Sequence, residues 1–583
     1  MQKKYFYLSS YEKIERYINR WDWWLLTIIF LILCFLGWTS QQMVVPYKLG
    51  MPLIISLNPL QLPGYALRTA LRLLLALFLS LFFTFIVGVI AAKNKRAEQI
   101  IIPTLDILQS IPVLSFLSIF ITGFIRLFPN SLFGPECAAI FAIFTAQVWN
   151  MTFSFYQSLK GVPTDLQEVA AIFKLSAWQC FWKIEVPYAM PSLLWNMMMS
   201  MSASWFFVVL SESIAVSKQI INLPGIGSYI ALAITHHDLH AVAYAMLMML
   251  MVIIIYDQLL FRPLLAWSEK FKFDVGLDET EAQSWIIDWI RNGKLMHHFL
   301  DWFNKIKNKI INIQCAFPKT KLSFNLNKRG IRPQSRALPA KILVILFWFG
   351  LISAMTMLIK IGLNIFTLKD ILHTIVLGAI TGSRVLVLIV LSSLIWIPIG
   401  VKIGLRPRLA AKIQPLIQCA AAFPANLFYP LVVIAIVRFN GNSEIWLTPL
   451  MILGTQWYIL FNVIAGALYI PRELYLVANN LGLKGWMWWK YLALPGIFPF
   501  YITGAIAAAG GAWNASIVAE CVSWGNSTVR ATGLGAYIQE SVLVGDFPKI
   551  ALGTAVMCLY VLTFNRCIWQ PLYRLAEERF SGI

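Results

Sequence analysis

Two acidic residues lie at equivalent positions in this sequence, each near the end of a long apolar run. Glu212 follows Trp205 by seven residues, and Glu520 follows Trp513 by the same seven. If these runs cross a lipid bilayer, a carboxylate at that depth costs several kcal/mol unless it is paired or hydrated. The two acids therefore need a role, and the two tryptophans belong to the same candidate group.

The sequence leaves three roles open for Glu212 and Glu520. They line a solute pathway, they form a buried ion pair, or they lie in the interface on the outer side. The candidate partners for an ion pair are Arg72, Arg384 and Arg530. A carboxylate repels an anion, so an anionic solute would favour the ion pair over direct contact with the solute.

Other reactive side chains show no catalytic pattern. The sequence has no Gly-x-x-x-x-Gly-Lys-Ser/Thr phosphate loop, no Gly-x-Ser-x-Gly motif and no His-Glu-x-x-His motif. We therefore expect no catalytic residue, no bound cofactor and no ATP site in this chain. Energy for uphill movement of a solute would come from a partner or from an ion gradient.

The histidines and cysteines are not expected to bind a metal. His236, His237 and His240 have the spacing of metal ligands, but the shifted positions in the second half carry Val544, Gly545 and Pro548. An outer loop is the expected explanation. The eight cysteines have no Cys-x-x-Cys spacing, and we expect them to pack in apolar surroundings.

The composition defines the elements that position these side chains. The chain is 59% hydrophobic and 13% charged, with a mean hydropathy of +0.70, which is more apolar surface than one soluble core buries. Runs long enough to cross a bilayer as helices, about 20 residues each, number about twelve. They are residues 24–39, 67–91, 100–125, 138–159, 191–210, 241–261, 342–361, 375–401, 413–437, 445–468, 499–519 and 550–568. The predicted fold is an all-α polytopic membrane protein.

The second half of the chain repeats the first. Residues 163–271 align without a gap with residues 471–579, which lie 308 positions later. Further upstream the offset is 312 and pairs Arg72 with Arg384, so a small length change lies in the loop near residues 128–135. The twelve predicted spans therefore form two tandem six-helix repeats.

The positions of Lys and Arg predict the orientation. The net charge is +20, and the basic residues concentrate in the N-terminal tail, in the loop after the second span and in the segment 262–341. Under the positive-inside rule both termini and the central segment are cytoplasmic. This distribution explains the charge without a nucleic-acid partner.

The predicted domains follow from the spans and the charges. Residues 1–22 form a cytoplasmic tail, 23–262 the first transmembrane domain, 263–340 a basic cytoplasmic linker and 341–583 the second transmembrane domain. Within the linker, apolar residues from Trp285 to Ile306 recur at three- and four-residue spacing. This pattern predicts an amphipathic helix, either in the membrane interface or packed on the protein.

Two segments between spans are longer than a simple return requires. One runs from Pro163 to Pro187 and the other from Pro471 to Pro495, and each holds an amphipathic stretch. Proline begins a helix well but interrupts its interior, so each segment predicts a short helix followed by a new span.

These segments resemble the Glu-Ala-Ala, three residues, Gly, then Leu-Pro loop of binding-protein-dependent ABC importer permeases. In that family the loop forms a coupling helix that docks on an ATPase subunit. The signature positions in the first copy are Glu168, Ala170, Ala171, Lys174 and Pro187. Those in the second copy are Leu476, Ala478, Gly482 and Pro495.

The resemblance covers most of both halves and is closest to the fused permeases of the nitrate, sulfonate and taurine branch. The residues that carry this branch resemblance are 178–183, Trp205 to Glu212, Gly225-x-Gly227 and 262–267. It implies a multi-pass permease of the bacterial cytoplasmic (inner) membrane that carries a small anion. It further implies two ABC ATPase subunits, which hold ATP and Mg, and an extracytoplasmic solute-binding protein.

The two loops depart from the family pattern in different ways. Lys174 stands where the family has Gly. A lysine in a left-handed turn costs about 1 kcal/mol relative to glycine. The sequence therefore leaves open a different turn in the first loop. Leu476 stands where the family has an acid, so only Glu168 can pair with a basic residue of an ATPase. We expect two unequal docking sites.

Two other classes of function compete with an ABC importer permease. A secondary carrier also has about twelve spans, often as two parallel six-helix repeats, and needs no ATPase. A membrane scaffold or membrane enzyme would need no repeated loop. The duplicated loops favour the importer permease.

Overall fold

We describe the fold from a computed structural model of the chain. The structure describes residues 55–110, 112–216, 219–271, 366–525 and 527–580, with scattered positions between 27 and 53 and between 286 and 309. The predicted spans 24–39 and 342–361 fall largely or wholly outside the described residues. The same holds for most of the linker 263–340 and its predicted amphipathic helix.

The first half is a row of helices interrupted by one β-hairpin. A 3-10 turn, Pro59–Gln61, leads into the first long helix. The long helices α1 to α4 are Leu62–Lys93, Lys95–Ser110, Val113–Leu127 and Phe133–Lys160. Two short helices and a long one follow as α5 to α7, Thr164–Ile172, Ala177–Cys180 and Val186–Glu212. The hairpin is β1, Ser213–Val216, and β2, Gln219–Asn222, and the helices α8 to α10 are Ile226–Thr235, Leu239–Tyr256 and Arg262–Ser268.

The second half repeats this order, except that three helices replace the single helix α4. Helices α11 to α13 are Leu368–Gly404, Pro407–Ala422 and Tyr429–Phe439, and the three that replace α4, α14 to α16, are Ser443–Trp446, Leu450–Leu453 and Gln456–Tyr469. Helices α17 to α19 are Arg472–Asn480, Gly485–Trp488 and Leu494–Ala519. The hairpin is β3, Cys521–Trp524, and β4, Ser527–Arg530, and α20 to α22 are Leu534–Val544, Phe547–Phe564 and Gln570–Phe580.

Single π-helical turns occur at equivalent places in both halves. Residues Phe181–Glu185 join α6 to α7, and Trp489–Ala493 join α18 to α19. Residues Asp257–Phe261 join α9 to α10, and Asn565–Trp569 join α21 to α22. Each turn keeps the helical axis running, so the short helix and its long neighbour behave as one element.

Among the described residues, seven helices are long and apolar enough to cross a membrane, and two bent helix pairs raise this to nine. The predicted spans 413–437 and 445–468 are each built from two helices that meet at a bend, of 68° and 44° respectively. The first bend falls at Phe423, which precedes Pro424 and has an extended ψ of 124°. A residue before proline avoids the helical region, which explains the break. The predicted span 100–125 is likewise covered by two helices, with α2 ending at Ser110 and α3 beginning at Val113.

The two halves pack against one another and expose apolar side chains around their outside. The backbone N–H of Val113 donates to Asn514 Oδ1 at 3.0 Å, and Gln418 Nε2 donates to Asp257 Oδ1 at 2.9 Å. On the periphery Phe78 is 78% exposed and Leu394 is 69% exposed. Such a surface is unfavourable in water and fits the hydrocarbon of a bilayer.

Candidate functional site

A buried ion-pair cluster joins three elements of the first half. Arg72, on α1, donates through Nε and Nη2 to the two carboxylate oxygens of Glu136, at 2.6 and 2.7 Å. Its Nη1 donates to Glu212 Oε1 at 2.5 Å. The three side chains are at most 1% exposed. Burial of charges is tolerated here because each is paired and hydrogen-bonded.

Glu212 also holds the start of the next helix. Its Oε1 accepts a hydrogen bond from Thr69 Oγ1 at 2.6 Å, and its Oε2 accepts one from the backbone N–H of Gly227 at 2.6 Å. Gly227 lies in the first turn of α8, where backbone N–H groups have no helical partner. The carboxylate therefore caps α8 and matches the positive end of its dipole.

The glycines of the Gly-x-Gly motif make room for this carboxylate. A Cβ at Gly225 would overlap the Glu212 carboxylate, and a Cβ at Gly227 would overlap the backbone carbonyl of Val209. In the second half, a Cβ at Gly533 would overlap the Glu520 carboxylate. The Gly-x-Gly spacing therefore has a steric cause, because a side chain at either glycine would overlap a neighbouring group.

The second half builds the equivalent cluster in a more open form. Arg384 Nη1 donates to Glu520 Oε1 at 3.2 Å, and Arg384 Nη2 also pairs with Glu444. Glu520 Oε2 accepts from the backbone N–H groups of Gly535 and Ala536, at 2.7 and 3.2 Å. The Arg384 side chain is 13% exposed and that of Glu444 is 41% exposed.

The clusters contain two residues that the sequence analysis missed and exclude one that it considered. Glu136 and Glu444 are equivalent at the offset of 308, yet they follow directly on the loop in which the offset changes. The presence of glutamate at both equivalent positions was the signal in the sequence that could have identified them. Arg530 lies 2.8 Å from Glu540 and does not pair with Glu520.

The tryptophans of the candidate group pack beneath the clusters. Trp205 and Trp513 are each 2% exposed. Trp205 makes an edge contact with Tyr256 at a centroid distance of 5.6 Å, and Trp513 makes one with Phe564 at 5.7 Å. Each ring therefore packs the fifth span of its half against the last span of that half.

The two long loops form short helices with the same ending. In the first, the N–H of Leu175 donates to Ala170 O at 3.0 Å, and in the second the N–H of Leu483 donates to Ala478 O at 3.0 Å. Between them, Lys174 has a φ of 50° and Gly482 a φ of 65°. Both loops thus make one left-handed turn, including the loop that carries lysine there.

Each short helix buries one alanine and exposes large apolar residues. Ala170 is 8% exposed and Ala478 is 3% exposed, so these positions anchor α5 and α17. Three residues after these alanines, Phe173 is 73% exposed and its equivalent Leu481 is 69% exposed. Glu168, Ala171 and Lys174 are exposed on the first helix. Pro187 and Pro495 lie in the first turns of α7 and α19.

A cavity of about 160 Å³ lies between the two halves. Its wall includes Asn150 and Phe206 from the first half, and Tyr458 and Gly510 from the second. None of the described residues that line it is charged, and neither Glu212 nor Glu520 is among them. The ion-pair clusters and the cavity are therefore separate sites.

The histidines with metal-ligand spacing, His236, His237 and His240, are not gathered into a metal site in the described part of the chain. Among the residues that the structure describes, no group of three or more His, Cys, Asp or Glu side chains is placed to hold a metal ion. His237 instead packs against Trp524 of the other half, with a centroid distance of 5.6 Å.

The sequence of each half matches one protein family. The profile described as "Binding-protein-dependent transport system inner membrane component" matches residues 84–261 and again residues 395–568. The chain belongs to this family. It is a fused permease, with two copies of the family's domain in one polypeptide, and it is an all-α membrane protein built from two tandem repeats.

Individual relatives of this fused permease are named as permeases for bicarbonate, nitrate and taurine. The bicarbonate transport system permease protein CmpB of Synechococcus elongatus is 29% identical over 151 residues, 26% of this chain and 51% of the relative. The nitrate import permease protein NrtB of Synechocystis is 27% identical over 126 residues, 22% of this chain and 43% of the relative. The taurine transport system permease protein TauC of Escherichia coli is 24% identical over 180 residues, 30% and 61% respectively. The chain spans about half the length of the curated relatives that it matches.

Proposed function

We propose that this chain is the complete membrane part of an ATP-driven importer for a small anion. The two halves enclose the solute pathway, two ABC ATPase subunits bind the loops that hold α5 and α17, and an extracytoplasmic solute-binding protein delivers the solute. In this proposal both termini and the linker 263–340 are cytoplasmic, and the domain bounds are 1–22, 23–262, 263–340 and 341–583. ATP and Mg are held by the partner subunits.

The observation that carries the proposal is the pair of short helices with matched exposed apolar residues. Phe173 and Leu481 occupy equivalent positions and are both more than two-thirds exposed, at 73% and 69%. Each follows an anchored alanine and precedes the same left-handed turn. Large exposed apolar side chains on a fixed helix are typical of a protein interface.

The anion specificity is supported by the relatives and by the separation of the acids from the cavity. The relatives' names give bicarbonate, nitrate and taurine as their solutes. Glu212 and Glu520 are bound to arginine and do not line the cavity. We propose that both acids have a structural role, so that no carboxylate repels an anion on its way.

Co-purification with the ABC ATPase of the same transport system tests the docking proposal. We expect Phe173→Asp and Leu481→Asp each to lower the recovered ATPase about tenfold or more, since a desolvated anchor typically costs 2 kcal/mol or more. Val544→Asp is the matched control, because Val544 is 61% exposed but lies at the opposite end of the helices. Full ATPase recovery by both loop variants, or solute transport without any ATPase, would contradict the proposal.

A further inference from the structure

The cavity between the halves has different chemistry on its two sides. Phe206 and Phe207 line it from α7, whereas the equivalent residues on α19 are Asn514 and Ala515. The residues before them on α7, Ser202 and Ala203, are replaced on α19 by Gly510 and Gly511. Helix α7 therefore presents aromatic rings to the cavity, and α19 presents small residues, while Phe423, Tyr429 and Tyr458 of the second half line it from other helices.

Several polar groups lie in the cavity wall, and not all of them have a partner within the described part of the chain. The hydroxyl oxygen of Thr455 is buried and has no hydrogen bond. The hydroxyl groups of Tyr458 and Ser202 line the same space. Asn150 accepts one hydrogen bond from Gln109 at 3.4 Å, which leaves its own N–H groups free to donate. Unsatisfied polar groups of this kind cost free energy unless a bound molecule completes their hydrogen bonds.

These groups suit one negative charge better than two. All four are neutral donors, and a hydrogen bond from a neutral donor to an anion is charge-assisted and therefore stronger than one between two neutral groups. No Lys or Arg is present among the described lining residues to balance a second charge. A doubly charged anion would therefore lose its hydration without adequate compensation.

The rest of the cavity wall favours contact with the carbon atoms of a ligand. Trp149, Phe206 and Phe207 offer aromatic surface that an inorganic anion cannot use. The volume is about 160 Å³, and an apolar protein cavity of about 150 Å³ binds benzene. A Cβ at Gly510 would have open space around it, which shows that the cavity reaches the backbone of α19.

We infer that the solute of this permease is an organic monoanion rather than a bare inorganic anion. Its acidic group is held by Asn150, Ser202, Thr455 and Tyr458, and its carbon body lies between Phe206 and the glycine face of α19. This inference rests on the proposed function and names the class of anion that the pathway selects.

Ligand binding to the purified full-length chain in detergent tests the inference without the solute-binding protein, which would impose its own selectivity. The probes are the sodium salts of benzenesulfonate, methanesulfonate and nitrate, with sodium chloride at equal ionic strength as the baseline. The readout is the rise of the unfolding midpoint with ligand concentration, on the order of 2 °C near saturation. We expect benzenesulfonate to bind about tenfold or more tightly than methanesulfonate, because only benzenesulfonate buries an apolar body.

Variants of the wall locate the site. Gly510→Leu fills the cavity and should weaken benzenesulfonate binding about tenfold, whereas Gly123→Leu should not. Gly123 is the matched control because a Cβ there also has open space and the residue does not line the cavity. Tyr458→Phe and Thr455→Val remove one donor each and should weaken binding about threefold or more. Thr563→Val is their control, since that hydroxyl donates only within its own helix.

Each alternative result has a defined meaning. Equal binding of nitrate and benzenesulfonate, lost in Gly510→Leu, would overturn the organic selectivity while keeping the cavity as the pathway. No ligand-dependent shift in the wild-type chain, or a shift that persists in Gly510→Leu and Tyr458→Phe, would overturn the inference as a whole. The ATPase co-purification decides the proposed function independently of all these results.

Discussion

The carboxylate of Glu212 accepts a hydrogen bond from the backbone N–H of Gly227 at 2.6 Å. The acid at the end of α7 thereby fixes the first turn of α8, and the same acid is bound by Arg72. Glu520 and Gly535 repeat the relationship at 2.7 Å. In each half one carboxylate joins a long span, a neighbouring arginine and the start of the helix that follows the hairpin.

Neutralising the acids is expected to destabilise the first half more than the second. Glu212→Gln leaves Arg72 fully buried with one carboxylate fewer, and breaking a buried pair costs about 3–5 kcal/mol. Glu520→Gln should cost less, because Arg384 is 13% exposed and water can reach it. Thermal unfolding of the purified variants measures both effects. Variants that fold normally but transport a different solute would contradict the structural role.

Adding a methyl group at the glycines beside these acids should have a similar effect. Gly225→Ala and Gly533→Ala each place a Cβ on top of a carboxylate that is held on several sides. We expect a loss of about 1–3 kcal/mol of stability from the forced displacement. Gly123→Ala serves as the control and should stabilise its helix slightly, since a Cβ there meets open space. An unchanged unfolding midpoint in Gly225→Ala would contradict the described packing.

Exchange of the turn residues in the two loops should shift stability in opposite directions. Lys174 adopts a φ of 50°, which is costly for a residue with a Cβ, so Lys174→Gly should stabilise the first loop by about 1 kcal/mol. Gly482→Lys should destabilise the second by a similar amount. Hydrogen exchange of the loop amides reports the change locally. Loss of protection at Leu175 in Lys174→Gly would contradict the shared turn.

The two docking loops should respond differently to changes in charge. Glu168 is exposed, whereas the equivalent Leu476 offers an apolar surface. Glu168→Ala should lower ATPase binding at the first loop and make it less dependent on salt. Leu476→Ala should lower binding at the second loop without a change in salt dependence. An equal change in salt dependence, relative to the wild-type chain, in both variants would contradict the predicted difference between the sites.

An ion pair next to α2 predicts a weak dependence of stability on acid. Hydrogen bonds from Lys160 and Tyr156 hold the pKa of the Glu98 carboxyl below its usual value. The pair therefore stabilises the fold at neutral pH, and this contribution is lost as the pH falls from about 4.5 through the lower folded value. Glu98→Gln should cost less than about 1 kcal/mol at pH 7, because the pair is partly exposed. Chemical unfolding of the wild-type chain and of Glu98→Gln, at pH 7 and at acid pH, measures this contribution. A difference in unfolding free energy between the two proteins that does not shrink in acid would contradict the stabilising role of the ion pair.

The repeat, the helical fold and the membrane environment follow from the sequence because hydrophobic runs and matched residues are local patterns. The bend at Phe423 was also encoded, by Pro424, but a run of apolar residues hides a change of direction. Glu136 and Glu444 were harder to find, since they follow the loop in which the offset between halves changes. The cavity was out of reach, because Asn150, Phe206, Tyr458 and Gly510 meet only when separate helices from both halves assemble.

The contact of Val113 with Asn514 joins helices that belong to different copies of the same ancestral domain. In an assembly of two identical subunits, any substitution at such a seam appears on both sides at once. One polypeptide removes that constraint, so Phe206 and its counterpart Asn514 have diverged into an aromatic and an amide side chain. Fusion of the two copies has thus allowed the interface between the halves to become asymmetric. A molecule lying across it meets a different surface at each end and has one preferred orientation.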